Sequence, residues 1–157
     1  MDLILLRHAK AEERSAGLAD EERKLTAKGR KRAQAVAKGL AVYLRGNRQI
    51  EIWASQAVRS RQTAAIVAET LGAQVTEHPA VYGGSLEELI GQWRDHPAET
   101  IVIVGHEPHL SIWAQQLARV TIPFKKCTAA GFTLLTPDCA TLEWYASPKI
   151  LAAAGEE

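Results

Sequence analysis

The chain has 157 residues, a formal net charge of +1 at neutral pH, and apolar and charged fractions of 46% and 24%. These values are ordinary for a folded soluble protein, and they argue against a disordered or fibrous chain. The near balance of charge predicts no strong attraction to nucleic acid or to an anionic membrane. We expect a single domain over residues 1–157, long enough to bury one sizeable core.

The cysteines and the amino-terminal residues indicate where the protein resides. Cys127 and Cys139 are too few for a disulfide scaffold, they lie in no metal-ligand spacing, and they fit a reducing compartment. The first apolar run, residues 3–6, is too short for the core of a signal peptide or for a membrane span. We therefore expect a cytoplasmic protein without a structural metal site.

The first half of the chain begins with a predicted strand over residues 2–7, which is apolar throughout and therefore predicted to be buried on both faces. Residues 9–25 predict a long loop with room for one helical turn. Thr26 predicts the N-cap of a helix that extends to about Leu44. One face of this helix is apolar (Ala33, Val36, Ala37, Leu40, Leu44), and the other is basic (Lys28, Arg30, Lys31, Arg32, Lys38). The basic face is either a solvated surface or a docking surface.

Strands and helices alternate through the rest of the chain. Strands are predicted at 50–55, 73–78 and 100–106, and helices at 57–71, from Ser85 to about Arg94, and from Pro108 to about Arg119. Residues 130–136 and 140–146 predict a hairpin, and the alanine-rich tail from Lys149 is weakly specified. This order predicts a three-layer α/β/α sandwich with a mainly parallel sheet and an antiparallel element near the C-terminus.

Unusual polar residues follow three of these strands. Arg7-His8 follows the first, Ser55 to Arg59 the second, and Gly105-His106 the fourth. Ligands of such sheets bind beyond the carboxyl ends of the strands, so two arginines and two histidines would meet in one crevice. A cluster of donors and cations favours a phosphoryl group, and nearby cations would keep a histidine neutral and able to attack phosphorus. Taken alone, Arg7-His8 would also fit a charged cap at the end of a strand, and His106 would also fit a hydrogen-bonded core histidine.

Four segments carry a resemblance to a known family. "LLRHAKAE" (5–12) resembles an Arg-His-Gly signature with Ala9 in the glycine position, and "RKLTAKG" (23–29) is similar to Arg-Pro-Leu-Thr-x-x-Gly with Lys24 in the proline position. "SQAVRSRQTA" (55–64) and "VIVGHEPHL" (102–110) resemble the Ser-x-x-x-Arg-x-x-Gln-Thr and Gly-His-x-Pro segments. In order and spacing the chain resembles the histidine phosphatase (phosphoglycerate mutase-like) superfamily, and most of all its SixA-type phosphohistidine phosphatase branch.

The resemblance implies roles for matching positions. His8 would be the nucleophile, while Arg7, Arg59 and His106 would bind the phosphoryl oxygens and stabilise the charge of the transition state. His106 would donate a hydrogen bond, as a neutral ring or as an imidazolium, and a backbone carbonyl would set the tautomer of His8. Lys10 is either a further substrate ligand or a solvated lysine. No cofactor is implied, and Pro108 between His106 and His109 argues against a metal site.

Larger members of this superfamily have a glutamate or aspartate in the middle of the chain that acts as general acid. This sequence has no clear counterpart of that residue. Glu77, Glu87 and Glu88 are the candidates in the middle of the chain, and the last two also suit the first turn of a helix. An ester needs a proton on its leaving oxygen, whereas the imidazole of phosphohistidine is a good leaving group once its ring is protonated. The gap therefore favours phosphohistidine as the substrate.

Three functions remain open at this point. The first is a phosphatase of phosphohistidine on signalling or phosphotransfer proteins, for which the short chain would leave an open site. The second is a small-molecule phosphomonoesterase of the same superfamily, favoured by a carboxylate near the crevice. The third is a non-catalytic module that binds phosphorylated partners. In the first two cases phosphate ion is the product, and nucleic acid and membrane are not expected partners.

Overall fold

The protein forms one six-stranded sheet with helices on both faces, in a computed structural model that describes residues 1–156. The strands are β1 (Asp2–Arg7), β2 (Ile50–Ala54), β3 (Gln74–Glu77), β4 (Thr100–Gly105), β5 (Ala129–Thr136) and β6 (Cys139–Ala146). The helices are α1 (Ala27–Tyr43), α2 (Val58–Leu71), α3 (Pro79–Gly83), α4 (Leu86–Trp93), α5 (His109–Ala118) and α6 (Pro148–Ala154). A 3₁₀ turn occupies Asp20–Glu22 in the loop after β1.

The strand order is β3-β2-β4-β1-β5-β6, with parallel pairing from β3 to β1 and antiparallel pairing from β1 to β6. This confirms the predicted α/β sandwich with a mainly parallel sheet and a late hairpin. Arg7 on β1 is in register with Gly105 on β4, and Ala54 on β2 with Val104. The residues that follow these three strands therefore leave the sheet at the same edge, as the crevice prediction requires.

Each face of the sheet buries its own core. Ile4 and Leu6 of β1 point to the side covered by α1, α2 and α6, whereas Leu3 and Leu5 point to the side covered by α3, α4 and α5. This alternation follows from the period of two in a strand, and a strand packed on both faces is apolar throughout. The apolar face predicted for α1 is buried in the first core, and the basic face is exposed.

The termini of α1 show why its sequence forms a helix there. Thr26 is the N-cap, and its hydroxyl accepts from the amide of Gly29. A Cβ at Gly29 would lie 2.1 Å from the carbonyl oxygen of Lys10, so only glycine lets the start of α1 pack against the chain that follows β1. The amide of Thr26 also donates to the Lys10 carbonyl. The "LTAKG" segment thus ties the loop after His8 to α1.

The structure differs from the sequence expectations in three places. The tail predicted as weakly specified forms α6, because Ser147 caps it and Leu151 packs against α1, where Gly39 permits close contact. The short helix α3 was not predicted at all. Pro108 is the N-cap of α5 rather than a residue of its first turn.

Two further expectations concern the single domain and membrane spans. Glu157 lies outside the described residues, so a single domain over 1–157 stays a prediction. Within residues 1–156, every helix is too short or too polar to cross a bilayer.

Candidate active site

A polar pocket of about 230 Å³ lies at the carboxyl edge of β1, β2 and β4. It brings together four residues that the sequence placed in one crevice, Arg7, His8, Arg59 and His106, and adds four others, Arg14, Arg23, Glu107 and Lys126. The rings of His8 and His106 lie with their centroids 5.2 Å apart. The pocket therefore presents two imidazoles within a largely cationic wall.

The tautomer of His8 follows from one contact. His8 Nδ1 lies 2.7 Å from the carbonyl oxygen of Ala9, and a carbonyl can only accept, so Nδ1 carries the hydrogen. Burial, and to a lesser degree the charges of Arg59 and Arg7, lower the pKa of His8 to about 3. Burial outweighs the cations that the sequence suggested as the cause. His8 is therefore neutral near pH 7, and its Nε2 lone pair is available.

His106 is held by a hydroxyl. Its Nε2 lies 2.7 Å from Ser55 Oγ, which already accepts from the amide of Ala57 at 3.2 Å. The Ser55 hydrogen is then free to be donated to Nε2, which leaves Nδ1 as the protonated nitrogen of His106. Burial lowers the pKa of His106 to about 3, so the neutral ring is favoured over the imidazolium near pH 7.

Arg7 and Arg59 each donate hydrogen bonds from a terminal nitrogen of the guanidinium, whereas the Nε of each has no partner in the described chain. Arg7 Nη1 donates to the carbonyl of Phe124 at 2.9 Å, and Arg59 Nη1 and Nη2 donate to Asp20 at 2.8 and 3.0 Å. Nε of Arg7, Nε of Arg59 and Nδ1 of His106 are buried and have no hydrogen-bond partner within residues 1–156. Buried donors are normally paired, so these three suit an anionic ligand.

Two polar residues after Arg59 explain the Arg-x-x-Gln-Thr pattern. Gln62 Oε1 accepts from the amide of Leu25, and Thr63 Oγ1 accepts from the amide of Ala9. Helix α2 thereby holds both ends of the 9–25 loop. Ala9 is fully buried and keeps a negative φ, so the backbone here does not require the glycine of the family signature.

Several residues of the site were not found from the sequence. Asp20 and Tyr82 contact Arg59 or each other, and Glu107 lines the pocket directly after His106. Both carboxylate oxygens of Glu107 accept from Ser111, from its amide and from its hydroxyl. The proximity of Glu107 could have been read from "GHEP", whereas Asp20 and Tyr82 lie in segments without a motif.

The remaining candidates lie outside the pocket. The side chain of Lys10 is exposed, and only its carbonyl is used, by Thr26. Glu77 is exposed and pairs with Arg61 at 3.4 Å, while Glu87 and Glu88 are exposed in the first turn of α4. None of these four residues is among those that line the pocket in the described chain.

Comparison with known proteins identifies relatives of the fold. The structure of the protein histidine phosphatase SixA complexed with tungstate matches with a TM-score of 0.84 and 20% identity, over 96% of this chain and 99% of SixA. A mycobacterial glucosyl-3-phosphoglycerate phosphatase in complex with VO3 matches with a TM-score of 0.66 and 14% identity, over 93% of this chain and 99% of that one. The same fold therefore occurs in phosphatases of a protein and of a small molecule.

Sequence comparison identifies the family. An uncharacterized protein of Picosynechococcus sp. (strain ATCC 27264 / PCC 7002 / PR-6) is 34% identical over 129 residues, which are 75% of this chain and 73% of the relative. Residues 3–89 match the model of the histidine phosphatase superfamily (branch 1), and this segment includes Arg7, His8 and Arg59. The match supports phosphatase activity. The chain therefore belongs to the histidine phosphatase superfamily, branch 1.

Proposed function

We propose that this protein is a phosphohistidine phosphatase that acts on phosphorylated proteins through a phosphohistidine intermediate on His8. The observation that carries the proposal is the free Nε2 lone pair of a neutral histidine in a cationic pocket. A nucleophile must be unprotonated at the attacking atom. The Ala9 carbonyl holds the ring hydrogen of His8 on Nδ1, so Nε2 is unprotonated.

The proposed reaction has two steps. In the first, His8 Nε2 attacks phosphorus, the bond from phosphorus to the substrate nitrogen breaks, and its electron pair stays on that nitrogen. The substrate imidazole leaves as a neutral ring because its other nitrogen carries a proton. In the second, water attacks phosphorus, the bond to His8 Nε2 breaks, and inorganic phosphate is released. Arg7, Arg59 and His106 would contact the phosphoryl oxygens through the unpartnered donors described above, since phosphoryl transfer depends chiefly on positioning and charge neutralisation.

The preference for phosphohistidine rests on the leaving group. The predicted acids Glu77, Glu87 and Glu88 lie away from the pocket, and the pocket carboxylate Glu107 accepts hydrogen bonds from Ser111 at both oxygens. An alkoxide that receives no proton leaves poorly. The rim also suits a macromolecular substrate, because Arg14, at 82% side-chain exposure, and Lys126, also exposed, border the pocket. The match to SixA, with a TM-score of 0.84 against 0.66 for the glucosyl-3-phosphoglycerate phosphatase, supports the same preference.

The decisive experiment compares hydrolysis rates. Purified protein is given a phosphohistidine protein, such as a phosphorylated phosphotransfer domain, and a panel of phosphate esters at matched concentrations. The proposal predicts a higher kcat/KM on phosphohistidine, and acid-labile phosphate trapped on His8 after rapid quenching. Faster cleavage of a sugar phosphate would refute the substrate assignment while leaving the nucleophile in place.

Glu107 favours a second candidate, a small-molecule phosphomonoesterase. It is the carboxylate among the pocket-lining residues, and Ser111 holds it in place. A carboxyl group at this position could protonate an alkoxide leaving group. If so, Glu107→Gln slows the hydrolysis of an alkyl phosphate by about 10²-fold, the contribution expected of a general acid, and spares phosphohistidine. Equal effects on both substrates would exclude this role.

A further inference from the structure

A carboxylate in the loop after β1, that of Asp20, contacts three arginines that line the pocket, Arg14, Arg23 and Arg59. Asp20, on the 3₁₀ turn, accepts from Arg59 Nη2 at 3.0 Å, from Tyr82 Oη at 2.9 Å and from Arg23 Nε at 2.9 Å. Its backbone carbonyl accepts from Arg59 Nη1 at 2.8 Å. We call Asp20, Arg23, Arg59 and Tyr82 the Asp20 cluster. It joins three segments that are far apart in sequence.

These contacts determine which donors of Arg59 remain free. Asp20 takes one hydrogen from each terminal nitrogen, and the buried Nε is left without a partner in the described chain. Arg59 is 4% exposed, so water does not restrain it. An arginine side chain has many rotamers, and a two-point contact selects one of them. The orientation of this guanidinium is therefore set by the loop as well as by α2.

Tyr82 extends the same restraint to the second histidine. The Arg59 guanidinium lies 6.0 Å from the centre of the Tyr82 ring, and this ring packs edge-on against His106 at 5.3 Å. The hydroxyl of Tyr82 donates to Asp20, which holds the ring in place. One carboxylate thus restrains both Arg59 and the residue that packs against His106.

Asp20 keeps its charge across the working pH range. Burial alone would raise its pKa, but the hydrogen bonds from Tyr82, Arg59 and Arg23 and the charge of Arg59 together outweigh burial and lower the pKa to about 2. A permanent carboxylate beside Arg59 can act in two opposite ways. It can orient the guanidinium for the phosphoryl group, or it can compete with that group for the same charge.

We propose that Asp20 is a positioning residue, which presets Arg59 and, through Tyr82, His106 for the phosphoryl transition state. The proposal rests on the proposed function, because it assumes that Arg59 and His106 bind the phosphoryl group. The contacts favour orientation over competition, since Asp20 binds Arg59 through Nη1 and Nη2 and leaves Nε unpartnered within residues 1–156. Arg7 and His106, which line the same pocket, also have nitrogens without a partner among the described residues.

The test uses Asp20→Ala and Asp20→Asn, with Glu21→Gln as the matched control, because Glu21 is an exposed acid of the same turn. Turnover of a phosphohistidine protein and inhibition by orthovanadate, which mimics the transition state, are measured for each. We expect kcat to fall by up to about 10²-fold in Asp20→Ala, as for a misplaced catalytic group, and orthovanadate inhibition to weaken in parallel. Asp20→Asn, which keeps an acceptor, should lose less, and Glu21→Gln should match the wild type.

Opposite results overturn the proposal. Unchanged or tighter orthovanadate inhibition in a folded Asp20→Ala protein would show that Asp20 competes with the anion or is neutral toward it. A loss of melting temperature without any change in kcat would indicate a structural role only. If Asp20→Ala does not fold, Asp20→Asn and Tyr82→Phe carry the test with the same readouts, and wild-type kcat in both would refute the proposal.

The experiment separates this proposal from the proposed function. If the wild type turns over no phosphorylated substrate, the proposed function fails, and orthovanadate binding by calorimetry still reports on Asp20. If the wild type is active and Asp20→Ala retains both full kcat and full orthovanadate inhibition, the positioning role alone fails.

Discussion

Two pairs of histidines in this protein show how surroundings assign a role to one residue type. His8 and His106 are each 5% exposed, lie beside Arg7 and Arg59, and contact a carbonyl and a hydroxyl. His78 and His96 pack instead on Trp53 of β2, with ring centroids 4.1 and 5.9 Å from that of the tryptophan. His96 Nε2 lies 3.0 Å from a carboxylate oxygen of Glu51.

The difference is chemical as well as geometric. Burial, more than the nearby cations, lowers the pKa of both rings of the first pair and keeps them neutral near pH 7, and both histidines line the cationic pocket. The second pair is only partly buried, and the Glu51 carboxylate beside His96 also accepts from the indole N–H of Trp53, an arrangement that supports packing around Trp53. If His8 is the nucleophile, as proposed, substitutions in the two pairs should differ in their effect on turnover.

The largest expected effect is that of His8→Ala. If His8 is the nucleophile, turnover falls by at least about 10³-fold, because the covalent route is lost, and orthovanadate binding persists through the arginines. His96→Ala, in the other pair, should retain wild-type turnover. Steady-state kinetics and calorimetry check both. A His8→Ala protein that behaves like the wild type would support a pure binding module instead.

Arg59→Ala should have the next largest effect. Removal of one donor to the transition-state charge lowers kcat by about 10²- to 10³-fold. Arg61→Ala provides the matched control, since Arg61 is a half-exposed arginine of the same helix that pairs with Glu77. Comparable losses in both variants would point to an effect on α2 as a whole.

Ser55→Ala should reduce kcat about 10-fold, because His106 loses the hydrogen bond that selects one of its two tautomers. Losses of this size are typical when a residue that orients a functional imidazole is removed. Long-range ¹⁵N–¹H spectra should show His106 with the hydrogen on Nδ1 in the wild type and a mixture of tautomers in the variant. His8 should keep its hydrogen on Nδ1 in both. A wild-type spectrum with His106 protonated on Nε2 would contradict the assignment of the Ser55 hydroxyl as donor.

The smallest effect concerns acid stability. The folded pKa of His8 is about 3, below the ordinary value of about 6.5, so the unfolded state binds more protons between these values and stability falls as pH falls through that window. His8→Gln removes this contribution and should flatten the fall. Urea unfolding from pH 7 to pH 4 measures both slopes, and equal slopes for wild type and His8→Gln would contradict the low pKa.

Much of the fold could be predicted because its signals are local. The alternation of apolar strands with capped helices depends on neighbouring residues, and Thr26, Ser85 and Gly72 lie at the predicted helix ends. Two helices, α3 and α6, were not predicted, and for different reasons. Helix α3 is only five residues long and has no helical period, and α6 depends on the packing of Leu151 against α1.

The site residues that directly follow a strand could be predicted from the sequence. Parallel pairing brings Arg7, Ser55 and His106 to one edge, so their meeting could be inferred from their positions alone. Lys10 adjoins the signature, yet its side chain is exposed and outside the pocket, because proximity in sequence does not determine where a side chain points.

The amino-acid sequence by itself determined the strand and helix order, the edge of the sheet where ligands meet, and the residue types that favour a phosphoryl group. Only the tertiary structure decided which atoms of those residues are free. The Ala9 carbonyl, the Ser55 hydroxyl and the Asp20 carboxylate each occupy one donor or acceptor position of a site residue. Such contacts depend on distances of about 3 Å between groups up to 51 positions apart, and local sequence patterns do not encode them.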